Sequence, residues 1–284
     1  MVSCSKLLEG KCTFPCEWTK KGCRKKDITN YDQNKVVKIQ SIYRKKKDNK
    51  KNIHMCLRKD SIKNRFKKEI LGYHMINKES ITGTTWEEIN RNIVKEDCFV
   101  SDAAHGNHRS GKDNKFNSWN ISNKANTISK NGAVNISGYR LTTVCSPTNI
   151  GNEKTIIEEI EQRDKSFEFY SLLLRKDKAN DVVNYGWYVV PKEFHVFDVS
   201  KYPMKPKTGK KDKTRIAGWQ SKYFDITFSM SSQLWFKFHI DDIKQYLLSD
   251  VDVDMTTTAS FTFGDIYDII HDNQVVNRSL HTST

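Results

Sequence analysis

Asp113 and Lys124 are the two side chains in this sequence whose types and spacing best suit chemistry. His108-Arg109-Ser110-Gly111-Lys112-Asp113 is followed, nine residues beyond the aspartate, by Ser122-Asn123-Lys124. An aspartate, a short strand-like run and a lysine on the next strand form the bare pattern of a metal-dependent hairpin that cuts phosphodiesters. Such hydrolysis needs an activated water and stabilisation of the charge built up on the phosphorus centre. A bound Mg²⁺ does both, and a lysine can orient the water or share the charge. Mg²⁺ is usually held by one or two carboxylates and keeps several waters. The hairpin offers Asp113, and Glu88 or its neighbour Glu87 on the preceding segment could offer a second. The plainer alternative is a surface ion pair between Asp113 and Lys124. His105 and His108 suggest a rival chemistry, a histidine–metal nuclease with a histidine base, but no second His-Asn-His element follows at suitable spacing.

The elements that must carry this pair can be read along the chain. Thr84-Thr85-Trp86-Glu87-Glu88-Ile89 has a capping threonine with a glutamate three residues on, a helix start. Residues 97–150 read as strands, with turns at Gly111, Asn131-Gly132 and Ser146-Pro147. Thr155 to about Arg175 reads as one helix with an apolar face of Ile156, Ile157, Ile160, Phe167, Tyr170, Leu173 and Leu174. Tyr185 to Val199 is expected to give two short strands broken at Pro191, and Phe224 to Ile240 is strand-like. Residues 241–249 suggest a helix, and another short one is expected around Gly264–His271. The expected fold is α/β (α+β), a mixed central sheet flanked by helices. The expected organisation is a cysteine module at 1–26, a basic linker with a short helix at 27–68, a nuclease and recognition domain at 69–250, and a tail at 251–284.

Charge narrows the partners. Lys and Arg number 48 against 34 Asp and Glu, a net charge of +14 over 284 residues. That excess attracts polyanions across a Debye length. Nucleic acid is the expected partner, ahead of an anionic membrane surface. No apolar run approaches a membrane span of roughly 18 residues, and no secretory signal is read at the N-terminus. An intracellular, non-secreted protein is expected, with its seven cysteines reduced or metal-bound rather than paired.

Trp86-Glu87-Glu88-Ile89, His108-x-Ser110-Gly111-x-Asp113, Ile121-Ser122-Asn123-Lys124, Ser137-Gly138-Tyr139-Arg140-Leu141-Thr142 and Phe228-Ser229-Met230-Ser231-Ser232-Gln233-Leu234-Trp235 cover about residues 80–250. Together these blocks resemble restriction endonucleases of the PD-(D/E)xK type, of the kind carried by large DNA viruses of algae. The resemblance implies a viral protein in its host cell. It also implies that Asp113 binds Mg²⁺, that Lys124 assists and that Glu88 completes the site. The sequence departs from the family at Ser122, where an Asp or Glu is usual two residues before the lysine. Either the helix glutamate replaces it, or the site holds one ion weakly, or this copy is impaired.

A nuclease must also grip the backbone and read base edges. The stretch 205–215 carries Lys205, Lys207, Lys210, Lys211, Lys213 and Arg215 and reads as an exposed loop suited to phosphates. Arg140, Ser231, Ser232 and Gln233 are candidate DNA contacts, glutamine being able to bond adenine twice; the serines could equally cap a strand break. Cys4, Cys12, Cys16 and Cys23 could hold a structural Zn²⁺, or form two disulfides in an oxidising setting. Val36, Ile39 and Tyr43 fall at helical spacing before Arg44-Lys45-Lys46-Lys47, and this basic helix is expected to add non-specific DNA affinity. The leading expectation is a type II endonuclease that uses Mg²⁺ to cut double-stranded DNA, as a homodimer matching a palindrome. The second is a DNA-binding protein whose nuclease site has decayed. A third is an interaction protein tethered to membranes by its basic segment.

Overall fold

Phe169-Tyr170-Ser171-Leu172-Leu173-Leu174 is an unbroken buried run and forms the middle of the larger sheet. A run without alternation suits a strand covered on both faces. The structure, a computed structural model, describes residues 53, 55–98, 100–102 and 111–266, with two further strands at 16–19 and 22–25. Nothing is described of the side chains of 16–25, 101 and 102. The chain divides into two units, Met1–Ile53 and His54–Thr284.

In the first unit, β1 (Cys16–Thr19) and β2 (Gly22–Lys25) form an antiparallel hairpin, with Trp18 opposite Cys23. Cys4, Cys12 and the basic helix at 36–47 lie outside the described residues, so the expected zinc or disulfide staple does too.

The second unit opens with α1 (Asp60–Ile76), which buries Ile62, Phe66, Ile70 and His74, one residue per turn. Burying Phe66 alone contributes about 1.5–3 kcal/mol. Helix α2 (Gly83–Val94) follows, capped by Thr82, whose hydroxyl accepts from the Thr85 N–H. The three-strand meander β3 (Val100–Asp102), β4 (Asn114–Phe116) and β5 (Trp119–Thr127) comes next. Its β4–β5 turn uses Asn117 at φ 53°, a conformation asparagine tolerates. β6 (Ala133–Arg140) leaves for the second sheet. Helix α3 (Glu153–Asp164), capped by Asn152, leads back to β7 (Phe169–Asp177), which pairs parallel to β5. β8 (Val182–Pro191) and, after the intervening sheet, β13 (Leu247–Asp254) complete the order β13-β8-β7-β5-β4-β3. The second sheet adds β9 (Lys205–Thr208), β10 (Ile216–Gln220), β11 (Phe224–Thr227) and β12 (Gln233–His239) in the order β6-β12-β11-β10-β9. A short α4 (Ile240–Ile243) joins it to β13.

The fold is therefore mixed α+β with two sheets and flanking helices. Tyr170, Leu172 and Leu174 share a core with Ile136, Leu234, Phe236 and Ile226 of the smaller sheet. On the other face of β7, Ser171 anchors a buried polar knot under α2. Asn90 Nδ2 donates to Ser171 Oγ (2.8 Å) and to Asn123 Oδ1 (2.6 Å). Trp187 donates to Ser171 Oγ (2.9 Å) and Trp86 to its carbonyl (3.1 Å).

Four expectations need correction. The helix expected from Thr155 to Arg175 stops at Asp164, and its second half is β7. Its apolar residues fit a helical stripe, but burial on both faces favours the strand. Between Pro191 and Val199 there is no second strand; the segment is turns leading into a 3-10 turn at Val199–Lys201. The exposed loop 205–215 begins as a strand, with Lys205–Thr208 paired to β10. The helix expected at 241–249 ends by Tyr246, and Leu247–Asp254 is β13. Among the described residues, no helix is long and apolar enough to cross a membrane.

Asn90→Ala strips Asn123 Oδ1 of its donor inside the knot, a cost of about 1–3 kcal/mol. The urea midpoint should fall accordingly; an unchanged midpoint would mean the knot does not tie α2 to the sheet.

Candidate active site

Strand alternation decides which residues of β5 meet Asp113. Asn123 points to α2, so Ser122 and Lys124 point to the opposite face. Asp113 sits one residue before β4, where its N–H donates to the Ile121 carbonyl (2.8 Å). Its Oδ2 accepts from the Asn123 N–H (2.6 Å) and the Ser122 hydroxyl (3.3 Å), and lies 3.7 Å from Lys124 Nζ. The aspartate and lysine singled out by spacing thus meet.

Of the two neighbouring helix glutamates, Glu87 is the one whose carboxyl feels the hairpin charges. Glu88 is exposed, whereas Glu87 is half-buried one residue earlier on α2. Burial pushes the Glu87 carboxyl up, and the negative charge of Asp113 pushes it further, against a smaller opposing pull from Lys124. Asn114 Nδ2 also donates to the Glu87 carbonyl (3.2 Å), fixing this turn of helix to the hairpin. Ser122, two residues before Lys124, is buried and neutral and donates to Asp113. Among the described residues, no group of three His, Cys, Asp or Glu is placed to hold a metal. A two-carboxylate set with water-filled remaining positions still matches the usual demands of Mg²⁺. His105 and His108 lie outside the described residues.

Asp113 and Lys124 open onto a cleft of about 690 Å³, also lined by Gly111, Gly138, Tyr139, Arg140, Arg163 and Gln233. Two of these, Arg140 and Gln233, are candidates from the sequence. Gln233 Nε2 donates to the Tyr139 carbonyl (3.2 Å), so its amide is engaged within the sheet. Ser231 and Ser232 take left-handed conformations, φ 57° and 51°, at the break before β12. Ser232 is fully buried, and its carbonyl accepts from the Leu141 N–H. Ser231 remains exposed. The basic residues of 205–215 are not in this cleft; Lys207, Lys210, Lys211 and Arg215 line a separate one.

Tyr139, Arg163 and Asp164 carry no sequence signal that separates them from ordinary core and helix residues. Arg163 is held by Glu159, with Nε at 2.8 Å and Nη2 at 2.7 Å, and lies 5.4 Å from the Tyr139 ring centre. It adds a fixed cation to the cleft. Gly111 is required by close approach, because a Cβ there would lie 2.5 Å from the Tyr139 hydroxyl. That hydroxyl donates to Asp164 Oδ1 (2.7 Å). Burial raises the Asp164 carboxyl to about 6, with Glu161 and Asp198 adding to the rise and Tyr139 and Lys192 resisting it.

Comparison with protein-family models, with curated proteins and with solved structures finds no match to this chain.

Asp164 carries a pH signature. Its folded pKa, about 6, lies above the unfolded 3.8, so the folded state holds the extra proton. Its burial therefore weakens the fold progressively as pH rises from about 4 to 6, and fully above 6. Asp164→Asn keeps an acceptor for Tyr139 and removes the titration. Relative to wild type, it should gain about 2–3 kcal/mol between pH 4 and 7. Parallel stability curves for the two proteins over that range would refute the assignment.

Proposed function

We propose that this protein hydrolyses phosphodiester bonds of double-stranded DNA, as a site-specific endonuclease of the PD-(D/E)xK type. The observation that carries this is the meeting of Asp113 and Lys124 from consecutive strands, with Glu87 electrostatically coupled to both. The mixed sheet with flanking helices is compatible with that family, and the net charge of +14 suits a polyanionic substrate.

The residues divide the work. The bonds to Asn123, Ser122 and Lys124 all fall on Asp113 Oδ2, so Oδ1 is the oxygen offered to a cation, together with Glu87. A Mg²⁺ bound there would supply a Lewis acid and an activated water. Lys124 is only loosely engaged at 3.7 Å, which leaves its ammonium able to orient the attacking water or bond a phosphate oxygen. Arg163, prepositioned by Glu159, places a second positive charge where the phosphate would lie. Arg140 is exposed at the cleft rim, suited to the DNA backbone. The proposal extends to a homodimer on a palindromic site, working inside a virus-infected cell. Zinc in the cysteine module remains part of it.

Ser122 favours a second reading, a protein that binds DNA without cutting, because the usual carboxylate is missing. Plasmid cleavage in Mg²⁺ separates the two. Asp113→Asn, Lys124→Ala and Glu87→Gln should each lose about 10²-fold or more, while Glu88→Gln keeps the wild-type rate. Wild type that binds duplex but cuts it with no divalent metal would leave only the binding role. Loss in Glu88→Gln with Glu87→Gln intact would overturn the metal-ligand assignment.

A further inference from the structure

Arg140, Gln233, Thr227, Gly218 and Lys207 stand opposite one another across all five strands of the smaller sheet. Residues opposite each other in an antiparallel ladder share a face. The alternate residues Leu234, Phe236, Phe224 and Ile226 are buried in the core, so this row lies on the outer face. It begins in the cleft with Asp113, whose walls include Arg140 and Gln233. It ends in a second cleft of about 670 Å³, lined by Thr227, Lys207, Lys210, Lys211 and Arg215 among others. The two clefts are ends of one strip. Four inter-strand spacings of ~4.8 Å make it about 19 Å long.

The strip is basic. Lys207 Nζ lies 3.0 Å from Asp225 Oδ2, and Lys237 bonds the same oxygen from the other side. Burial would push the Asp225 carboxyl up, but the two ammonium groups outweigh it and hold it below the usual range. One carboxylate thus anchors two lysines along the face, which stays net positive. Lys205, exposed and opposite Gln220, extends it. Trp235 is the aromatic residue of the row opposite Asp225, while its neighbours Phe224, Phe236 and Phe238 face the core. The face therefore offers charge rather than a stacking platform, which suits a duplex better than a single strand.

We propose that this outer face is the surface along which double-stranded DNA lies, from the Asp113 cleft to the groove at 207–215. The inference rests on the DNA reading of the cleft. A strip of about 19 Å exceeds the ~12 Å width of the major groove, so the sheet lies against backbone rather than inside a groove. Its contacts add affinity and salt dependence without reading sequence.

The test is binding of a 20-base-pair duplex by fluorescence anisotropy, without divalent metal, over a salt series. Each lysine lost from a duplex contact should reduce the slope of log K against log salt by about 0.9. The triple variant Lys207→Gln/Lys237→Gln/Asp225→Asn removes both cations without stranding a buried acid. It should lose about 1.8 in slope and bind roughly 10- to 100-fold more weakly at 0.1 M salt. Lys205→Gln, an exposed change, should lose about 0.9 and keeps the test open if the triple variant fails to fold. Asp225→Asn alone should bind more tightly, and Lys63→Gln on α1 should bind as wild type does. Unchanged slopes in the triple variant and Lys205→Gln would overturn the strip, even with cleavage intact. Reduced slopes in a protein that never cuts would keep the strip and sink the nuclease. Tighter binding to single strands or duplex RNA than to duplex DNA would overturn the choice of ligand.

Discussion

The site depends on one residue facing two ways. The Asn123 main-chain N–H holds Asp113 Oδ2 at 2.6 Å, while its side chain accepts from Asn90 inside the buried knot under α2. Strand alternation makes this possible: with Asn123 fixed toward the helix, Ser122 and Lys124 have only the cleft to face. Asn90 lies three residues beyond Glu87 on α2, near enough to one helical turn that the same tie helps set the depth of the Glu87 carboxyl. Ser171 and the indoles of Trp86 and Trp187 complete the tie from β7 and β8. Two atoms of this knot, Asn90 Oδ1 and Asn123 Nδ2, are buried without a partner, so it ties the elements together through four bonds at the cost of two unmet groups. Here it sits directly behind the residues that must hold their geometry.

Two buried acids show how one basic chain sets carboxylates differently. Asp164 is met chiefly by a neutral hydroxyl, so burial dominates and its proton is held up to about pH 6. Asp225 is met by two ammonium groups, which outweigh burial and keep it charged. The first supports the cleft floor through Tyr139, and only below about pH 6 does it do so without adding negative charge. The second spaces lysines along the outer face of the smaller sheet. Glu87 lies between these cases, raised by burial and by Asp113 and eased by Lys124. A carboxyl so placed gains most from a cation, because a cation would relieve both of the effects that raise it.

Legibility in the sequence followed the range of the forces involved. The Asp113–Lys124 pair was readable because a hairpin with a short turn brings nearby residues together by local geometry alone. The α2 start was readable too, although its cap is Thr82, two or three residues before the threonines expected, since the first turn opens at Gly83. The stretch 165–175 misled because three consecutive leucines fit a helical stripe as well as a doubly buried strand. Only the parallel pairing of β7 with β5, far along the chain, decides between them. Lys205–Thr208 misled for the opposite reason: its charges suit a loop, but as an edge strand it can keep them in water while pairing with β10. Arg163 and Tyr139 were illegible because their role comes from tertiary proximity to a hairpin whose residues lie elsewhere in the chain.

Ser122 is where the fold and the chemistry press hardest on each other. The position is almost fully buried and its neighbour on the same oxygen is Asp113. A carboxylate there would place two like charges side by side at a buried strand position, with Lys124 as the adjacent cation. Serine removes that repulsion and turns the position into a donor that orients Asp113. Glu87 reaches the same neighbourhood from α2 and is only half-buried, so water shares the cost of its charge. Under the proposed metal site, a carboxylate on the helix rather than the strand would keep two acids near Lys124 while lowering the charge density inside the sheet. On the proposed reading, Ser122 would mark a site whose second ligand comes from the helix rather than a lost site, with Asn123, tied to the same helix, holding Asp113 in place.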